Sequence, residues 1–513
     1  MSSQPQQNSD GFFGHPKGLS TLFFTEMWER MSYYGMRALL VLFMTASLQQ
    51  EGLAFTVAAA TAIYGLYTGA VYFLGLPGGW IADRLLGGQR TVWYGGIIIM
   101  CGHIVLAIPS DHTFFIGLIL VATGTGLLKP NISALVGHLY ADNDVRRDSG
   151  YALYYMGINI GSVLGYMICG YFGEKVGWHW GFGAAAIGMA IGLIQYRKTI
   201  GNLGDASLKP EHPMTPAGEK KAWGVIWAVV GAVVVITALT MSGVITFDPV
   251  AVATKVAIFF TAIFFIYYAY IYFGGKLSQA EKKRMWALFL VCVASACFWS
   301  GFEQAGSSLN LFVRDFTDRT MGSFEIPASW FQNLNPMFII ILSPFFAALW
   351  INLGKRMITP SYSMKCAIGL IIMATGFIVM FFAAQQAAQG LEVAPMWLVT
   401  TYFLHTVGEL CLSPVALSAV SKLSPRRFAG QMMGVFVLTY SIGNVIAGLL
   451  AGNFDPDNIS TLPNLYLQIA IFSIGIGAVI ALISLKSKSW EGQGLDHIEA
   501  VEPAEATAKT VNP

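Results

Sequence analysis

The sequence predicts an all-α polytopic membrane protein of about fourteen spans, and three observations lead there. The 513 residues are 55% hydrophobic and only 11% charged, too little polar surface for a soluble globule of this length. Apolar segments of membrane length, roughly 20 residues for a hydrocarbon core about 30 Å thick, recur along nearly the whole chain. Continuous apolar runs of that length are wrong for barrel strands, and open backbone cannot face lipid, so the spans are helices.

Apolar runs read against Gly, Pro and charged breakers place the first six spans near 19–49, 57–84, 88–109, 112–138, 147–174 and 178–197. A hydrophilic linker follows at 198–220 (GNLGDASLKPEHPMTPAGEKK). Two plainer spans come next, near 221–243 and 251–273, with Lys255 almost their only ionisable residue. Six more lie near 284–318, 330–354, 361–386, 395–424, 429–453 and 465–486. The expected domains are a cytoplasmic segment 1–18, a six-helix bundle 19–200, a linker with two added helices 201–283, a second six-helix bundle 284–486 and a disordered cytoplasmic tail 487–513. The first eighteen residues lack the charged region, apolar core and cleavage site of a signal peptide, so the first span is read as retained.

Charge asymmetry sets the orientation. With the N-terminus cytoplasmic, Arg84 and Arg90, Arg146 and Arg147, Arg197 and Lys198, Lys282 to Arg284, Lys355 and Arg356, Arg426 and Arg427, and Lys486 and Lys488 all fall inside. The opposite loops hold residues such as Glu51, Asp111, Asp248, Glu392, Asp455 and Asp457, and only the loop with Arg314 and Arg319 departs, neutralised by Asp315 and Asp318. Removing the two plain spans leaves six plus six, the arrangement of transporters whose halves alternate around a central site. A twelve-span chain with a long re-entrant region is the alternative. The net charge of +2 and the absence of a basic arm give no reason to expect nucleic acid. Six cysteines lie singly in apolar segments without disulfide or zinc spacing.

The polar residues inside the spans carry the chemistry. In TEMWERMSYYGMR, residues 25–37, a helical period puts Glu26, Arg30, Tyr33 and Arg37 on one stripe, with Glu29 and Tyr34 on its flanks. Ionisable groups are costly in hydrocarbon, so the stripe is expected to face a bundle interior or a watered cavity. A salt-bridged stripe that only locks helix packing is the other reading, and it leaves the two tyrosines without a role. The second span carries Tyr64 and Tyr72 and ends in GGWIADRLLGGQR, where Asp83 and Arg90 suit a charge latch at a tight turn; a turn that merely fixes topology explains the arginines equally well.

Lys129 sits mid-membrane before Pro130, which frees a backbone carbonyl, and a lone lysine at that depth calls for a counter-ion or a substrate carboxylate. In YALYYMGINIGSVLGYMICG, Tyr151, Tyr155 and Asn159 share one face, while Gly157, Gly161 and Gly165 share a neighbouring one that permits close helix approach. The second half contributes Trp299, Glu303, Ser307 and Asn310 on one face of FWSGFEQAGSSLN, Asn335 in QNLNP, and His405, Glu409 and Ser413 in LHTVGELCLSP. Cations at mid-depth come from the first half and carboxylates from the second, a polarity that suits a zwitterion with separated ends. A short peptide is one: its carboxylate would meet Arg30, Arg37 or Lys129, its ammonium Glu409, with Tyr34, Tyr72, Tyr155 and Trp299 accommodating side chains. Spacing alone does not separate peptides from amino acids or zwitterionic drugs.

These motifs resemble the proton-dependent oligopeptide transporters of the major facilitator superfamily over nearly the whole chain. Glu26, Glu29 and Arg30 followed by Tyr33, Tyr34 and Gly35 are similar to the family's ExxER motif and its YYG continuation. GGWIADRLLGG and YYMGINIGS resemble its two signatures, the second with Tyr154 in place of the usual Phe. FWSGFEQAGSSLN, QNLNP and GELCLSP are also family-like, and the two added helices match prokaryotic members. The resemblance implies the major facilitator fold and a symporter importing di- and tripeptides with protons across a bacterial inner membrane.

It further implies Arg30 and Lys129 as peptide-carboxylate ligands, with Tyr34, Tyr72, Tyr155, Asn159, Trp299, Asn335, Glu409 and Ser413 as other binding residues. Glu26, Glu29, Arg30 and Glu303 resemble the proton-coupling set. Members with a histidine in the second span differ from this chain, so proton binding is expected on carboxylates. For gating, Arg37 is expected to pair with Glu303 and Lys129 with Glu409. No GxxxxGK[ST] loop suggests an ATP-driven pump, and no HExxH spacing suggests a metalloenzyme. The expectation is a carrier without catalytic residues, metal or cofactor, coupled to protons, in a lipid bilayer, with no obligate protein partner. A proton-coupled carrier of nitrate, amino acids or drugs on the same scaffold, an exporter included, is the alternative.

Overall fold

The computed structural model describes residues 11–141 and 144–492, and what it describes is helical apart from one small hairpin, Thr320–Met321 against Phe324–Glu325. In chain order the helices are α1 (Lys17–Thr45), α2 (Val57–Ile81), α3 (Gly88–Leu106), α4 (Asp111–His138), α5 (Arg147–Tyr171), α6 (Trp178–Thr199), α7 (Pro216–Met241) and α8 (Pro249–Ala269). They continue as α9 (Gln279–Phe302), α10 (Ser308–Phe316), α11 (Leu334–Lys355), α12 (Tyr362–Ala388), α13 (Met396–Leu423), α14 (Ala429–Ala451) and α15 (Leu462–Gly492). A 3-10 turn joins α9 to α10 as one long segment, which leaves fourteen long helical segments. Eleven are long and apolar enough to cross a membrane by that measure. The other three are α1, with Glu26, Glu29, Arg30 and Arg37, and α3 and α6, diluted by glycines and polar residues.

Local chemistry fixes where many of these helices start. Thr56 and Ser361 accept backbone N–H groups at the heads of α2 and α12, Thr215 does so for α7 with Pro216 at its first position, and Ser278 with Glu281 forms a full capping box on α9. α2, α5 and α8 each widen into a π turn, at Ala82–Leu86, Phe172–Val176 and Tyr270–Gly274.

The chain divides into two compact units. The first runs through Thr254 and includes Gln304–Ile340 and Gly448–Phe454; the second comprises Lys255–Glu303, Ile341–Ala447 and the residues from Asp455 onward. The boundaries 19–200 and 284–486 read from sequence therefore do not delimit the units. The reason is side-chain tethering within the first unit: Asn310 Nδ2 donates to Ala38 O at 2.9 Å, Arg314 Nη1 to Thr45 Oγ1 at 2.8 Å, and Trp330 Nε1 to Met167 O at 3.1 Å. The tail reading also needs correction over 487–492, because α15 extends to Gly492. Glu491 accepts the N–H groups of Tyr362 and Ser363, at 2.8 and 3.3 Å, and that bond holds the last turn against the head of α12. Residues 493–513, the rest of the predicted tail, and 1–10 of the predicted N-terminal segment lie outside the described residues.

In the first unit α1 is the inner helix, buried along almost its entire length. α5 packs on it through the predicted glycines: a Cβ at Gly161 would strike the Met27 carbonyl and a Cβ at Gly165 the Met31 carbonyl. That close approach gives the helix interior little room for water and sets the environment of every charge on α1.

Candidate functional site

In the first unit the predicted stripe is real and buried. Glu26, Glu29, Arg30, Tyr33 and Arg37 are each no more than 5% exposed. Arg30 Nε lies 2.9 Å from Glu26 Oε1 and 2.5 Å from Glu29 Oε2, so one guanidinium edge serves both carboxylates. Nε and Nη2 are both buried with no hydrogen-bond partner among the described residues, so the Nε contacts are ion pairs only. Buried donors are almost always satisfied in folded proteins, so such an atom asks for a ligand or water. Tyrosine rings surround the cations: Arg30 lies 5.2 Å from the Tyr33 centroid and 5.9 Å from that of Tyr34, and Arg37 lies 5.2 Å from Tyr34 and 5.9 Å from Tyr64.

Lys129, half-buried on α4, places its ammonium 4.2 Å from the Tyr72 centroid and forms no ion pair with a carboxylate among the described residues. Tyr155 is 46% exposed, whereas Asn159 is buried and spends an amide N–H on the Tyr155 carbonyl at 2.9 Å. Asn335 is half-buried in the first turn of α11 and belongs to this unit.

The second unit supplies an aromatic and hydroxyl-rich cluster. Trp299 meets the Tyr440 ring edge-on at 5.1 Å and Phe302 at 5.3 Å. Gly443 permits this, since a Cβ there would press on Trp299 Cβ. Trp299 Nε1 and Ser413 Oγ are buried without a hydrogen-bond partner among the described residues, and Glu409, one helical turn before Ser413, is half-buried. Glu303 is 2% exposed at the C-cap of α9. His405, one turn before Glu409, is buried against Phe377 with ring centroids 4.8 Å apart, in a setting that is packing rather than ligand contact.

Asp83 and Arg90 are both exposed, and neither forms an ion pair among the described residues. The turn is tied to the linker by other groups: Gln89 Nε2 donates to Gly204 O and Ala206 O at 2.9 and 2.8 Å, Gly88 N to Ser207 Oγ at 3.0 Å, and His138 Nε2 lies 3.1 Å from Glu211. The linker is thus an ordered strap over residues 200–212.

Sequence reasoning overlooked several participants. Tyr67 stacks on Tyr33 at 6.3 Å with its hydroxyl buried and unpartnered, and it sits three residues beyond Tyr64 on the face already chosen, so helical periodicity was a usable signal. The hydroxyl that Tyr154 adds reaches Ser133 Oγ at 3.2 Å, joining α5 to α4. Asn131 Nδ2 donates to Gly78 O at 3.1 Å and Leu127 O at 2.7 Å, tying α4 to α2 beside Pro130. Glu174 on the turn after α5 accepts Ala328 N at 2.7 Å, Ser329 N at 2.9 Å and Ser329 Oγ at 2.5 Å, and nothing local in the sequence marks that bond.

Taken by itself, the first unit's cluster sets buried donors beside cations and suits an anionic group, and the second unit's sets buried donors beside a carboxylate and suits a cationic one. Residues 89–466 match the POT family. The chain is 41% identical over 499 residues to the peptide transporter YePEPT of Yersinia enterocolitica subsp. palearctica, spanning 94% of this chain and 96% of that protein. It is 34% identical over 485 residues to a di-/tripeptide transporter of Lactococcus lactis subsp. cremoris, spanning 92% and 96%. Among solved structures it aligns with a peptide transporter POT in complex with sulfate, at TM-score 0.88 and 39% identity over 94% of this chain and 97% of that one. A POT family transporter in complex with 5-aminolevulinic acid aligns at TM-score 0.85 and 33% identity, over 93% and 98%.

Proposed function

The chain belongs to the POT family, a family of proton-coupled carriers of di- and tripeptides, and on that premise we propose how its own residues perform the transport. The carrying observation is Arg30, ion-paired with Glu26 and Glu29 through Nε while Nε and Nη2 are both buried without a hydrogen-bond partner among the described residues, with Lys129 as a second cation that has no carboxylate of its own among them. A peptide carboxylate satisfies both. The peptide ammonium goes to Glu409, with Trp299 Nε1 and Ser413 Oγ as neighbouring donors for its carbonyls. Tyr34, Tyr72, Tyr155, Asn159 and Asn335 line the same path, and Arg37 serves both ligand and gate. A POT family transporter solved in complex with 5-aminolevulinic acid, a molecule with separated amine and carboxyl ends, supports recognition by the two termini.

The loops rich in Lys and Arg face the cytoplasm of a bacterial cell, both termini included, and the chain sits in the inner membrane. Protons drive uptake through Glu303, with Glu26, Glu29 and Arg30 as a coupled set that changes partners when a carboxylate is protonated. A membrane potential supplies about 2.3 kcal/mol per charge per 100 mV, and a pH gradient about 1.4 kcal/mol per unit. We assign no catalytic residue, metal or cofactor, so the protein acts as a carrier rather than an enzyme.

Reconstitution in liposomes tests this. Labelled dialanine should accumulate under an inward proton gradient and not without one, while nitrate and a zwitterionic drug do not accumulate. Nitrate uptake in place of dialanine overturns the substrate reading. Glu303→Gln should keep peptide exchange and lose concentrative uptake; intact accumulation in that variant removes Glu303 from proton coupling.

A further inference from the structure

The two added helices have a face that the transport reading leaves unused. α7 has no buried residue in its apolar window, but α8 is fastened to α9: the Tyr268 hydroxyl donates to Met285 O, and Phe264 and Tyr268 lie 6.3 and 5.5 Å from the Phe289 ring. Below that seam the π turn Tyr270–Gly274 carries the chain out to Lys276, whose φ of +49° turns it toward the head of α9. Arg427, at the start of α14, donates through Nη2 to the Lys276 carbonyl at 2.8 Å, so its guanidinium is held at this junction. Lys282 on α9 lies 5.7 Å from the Tyr272 centroid, and Trp286 Nε1 donates to the Tyr272 hydroxyl at 3.1 Å.

The charge at this locus is one-sided. Lys276, Lys282, Lys283, Arg426 and Arg427 gather at this junction, and the ion pair found for them among the described residues is Glu281 with Arg427, at 3.9 Å, from a carboxylate that already caps α9 through Ser278 N. Beside the cations, large rings are bared: Tyr270 is 64% exposed, Phe273 80% and Trp286 51%. Cations at a membrane face attract anionic headgroups, and amphipathic rings at the same level sit where headgroup meets acyl chain. A free anion would use the cations and ignore the rings, whereas a phospholipid uses both.

We propose that the junction of α8, α9 and α14 binds the headgroup of an anionic phospholipid, with Lys282 and Arg427 on its phosphate and Trp286 and Phe273 against its glycerol and upper acyl chains. The added hairpin supplies Tyr272, Phe273 and Lys276, and the second unit's other helices supply Lys282, Trp286 and Arg427. The hairpin is then a mooring for lipid.

Native mass spectrometry of the full chain in micelles, titrated with phosphatidylglycerol or phosphatidylcholine, tests the site. The unaltered chain should retain phosphatidylglycerol at least tenfold more tightly than phosphatidylcholine. Lys282→Gln with Arg427→Gln should weaken phosphatidylglycerol retention about thirtyfold, at roughly 1 kcal/mol per basic residue near an anionic surface. Lys355→Gln with Arg356→Gln removes the same charge from another exposed basic loop and should leave retention within about twofold of the unaltered chain, well inside the 0.5 kcal/mol expected of a surface substitution. Lys282→Gln alone, at a side chain with no hydrogen bond among the described residues, guards against misfolding of the double variant and should show about fivefold. Retention unchanged in the 282 and 427 variants, or lost equally in the 355 and 356 control, overturns the site. Displacement of the lipid by millimolar inorganic phosphate would reassign it to a free anion and overturn the lipid assignment.

Discussion

α2 and α5 both widen into a π turn and stop at a glycine in the positive-φ region, Gly87 at +80° and Gly177 at +154°, before α3 and α6 begin at once. The two junctions lie at opposite ends of the same bundle, since α2 leaves the end where α1 finishes and α5 returns to it. Their fastenings differ in chemistry. The junction after α2 is held mainly by neutral groups, the Gln89 amide on the Gly204 and Ala206 carbonyls and His212 N on Asp83 O at 3.0 Å, with Glu211 of the strap 3.1 Å from His138 Nε2. The junction after α5 is held by charge: Glu174 caps the turn at Ala328–Asn333, and Lys175 meets Glu325, itself paired with Arg319. A neutral clasp has one state. A carboxylate clasp can be released by a proton or exchanged for another donor.

Glu174→Ala should have the largest effect. It strands the N–H groups of Ala328 and Ser329 and the Ser329 hydroxyl, and hydrogen bonds to a charged acceptor contribute about 1.5–3 kcal/mol each before water partly replaces them. A net loss of about 3 kcal/mol is expected in thermal unfolding of the detergent-solubilised protein. Maleimide labelling of a cysteine placed at Ser329 should rise with it. Glu174→Gln keeps one acceptor oxygen and should fall between. An alanine variant as stable and as poorly labelled as the parent would leave the two junctions chemically equivalent.

This contrast also marks the limit of what the sequence made legible. Helix period and charge were enough to find the α1 stripe, the close-packing glycines of α5 and Lys129, because each is set by residues within two turns of one another. Glu174 was invisible because its partner Ser329 is 155 residues away and neither residue belongs to a periodic pattern. The strap at 200–212 was read as a linker from its glycines and charges, yet it is ordered by bonds to the turn after α2, among them the Gln89 amide on two of its carbonyls. The same blindness to side-chain-to-backbone bonds placed the end of α15 too early, where Glu491 holds it.

Gln89→Ala should cost less. Two neutral hydrogen bonds at roughly 0.5–1.5 kcal/mol each are lost, about 2 kcal/mol in total, and the Tyr196 hydroxyl still holds the Gln89 carbonyl at 3.0 Å. Because no titrating group takes part in those two bonds, the loss should be the same in acid and at neutral pH. A pH-dependent loss would mean that Asp83 or His212 shares the clasp after all, and the chemical distinction between the two ends would narrow.

The smallest effect is expected at Glu325, and its sign can be worked out. The hydrogen bond from Lys175 lowers this carboxyl below its ordinary value of 4.5, with the Arg319 charge adding to it. A group with a depressed folded-state value contributes stability above its unfolded value and loses it as pH falls through the folded one. The bridge therefore holds at neutral pH and fades in acid, as pH falls below the ordinary carboxylate range. Glu325 is 54% exposed, so solvent and salt screen the pair, and Lys175→Met should cost only about 0.5 kcal/mol at neutral pH and less in high salt. In acid the variant and the parent should converge, because the parent has lost the same bond by protonation. If the difference persisted undiminished in acid, Lys175 would be acting through its packing on the Phe324 ring, 5.9 Å from its ammonium, and the charged character of this junction would rest on Glu174 alone.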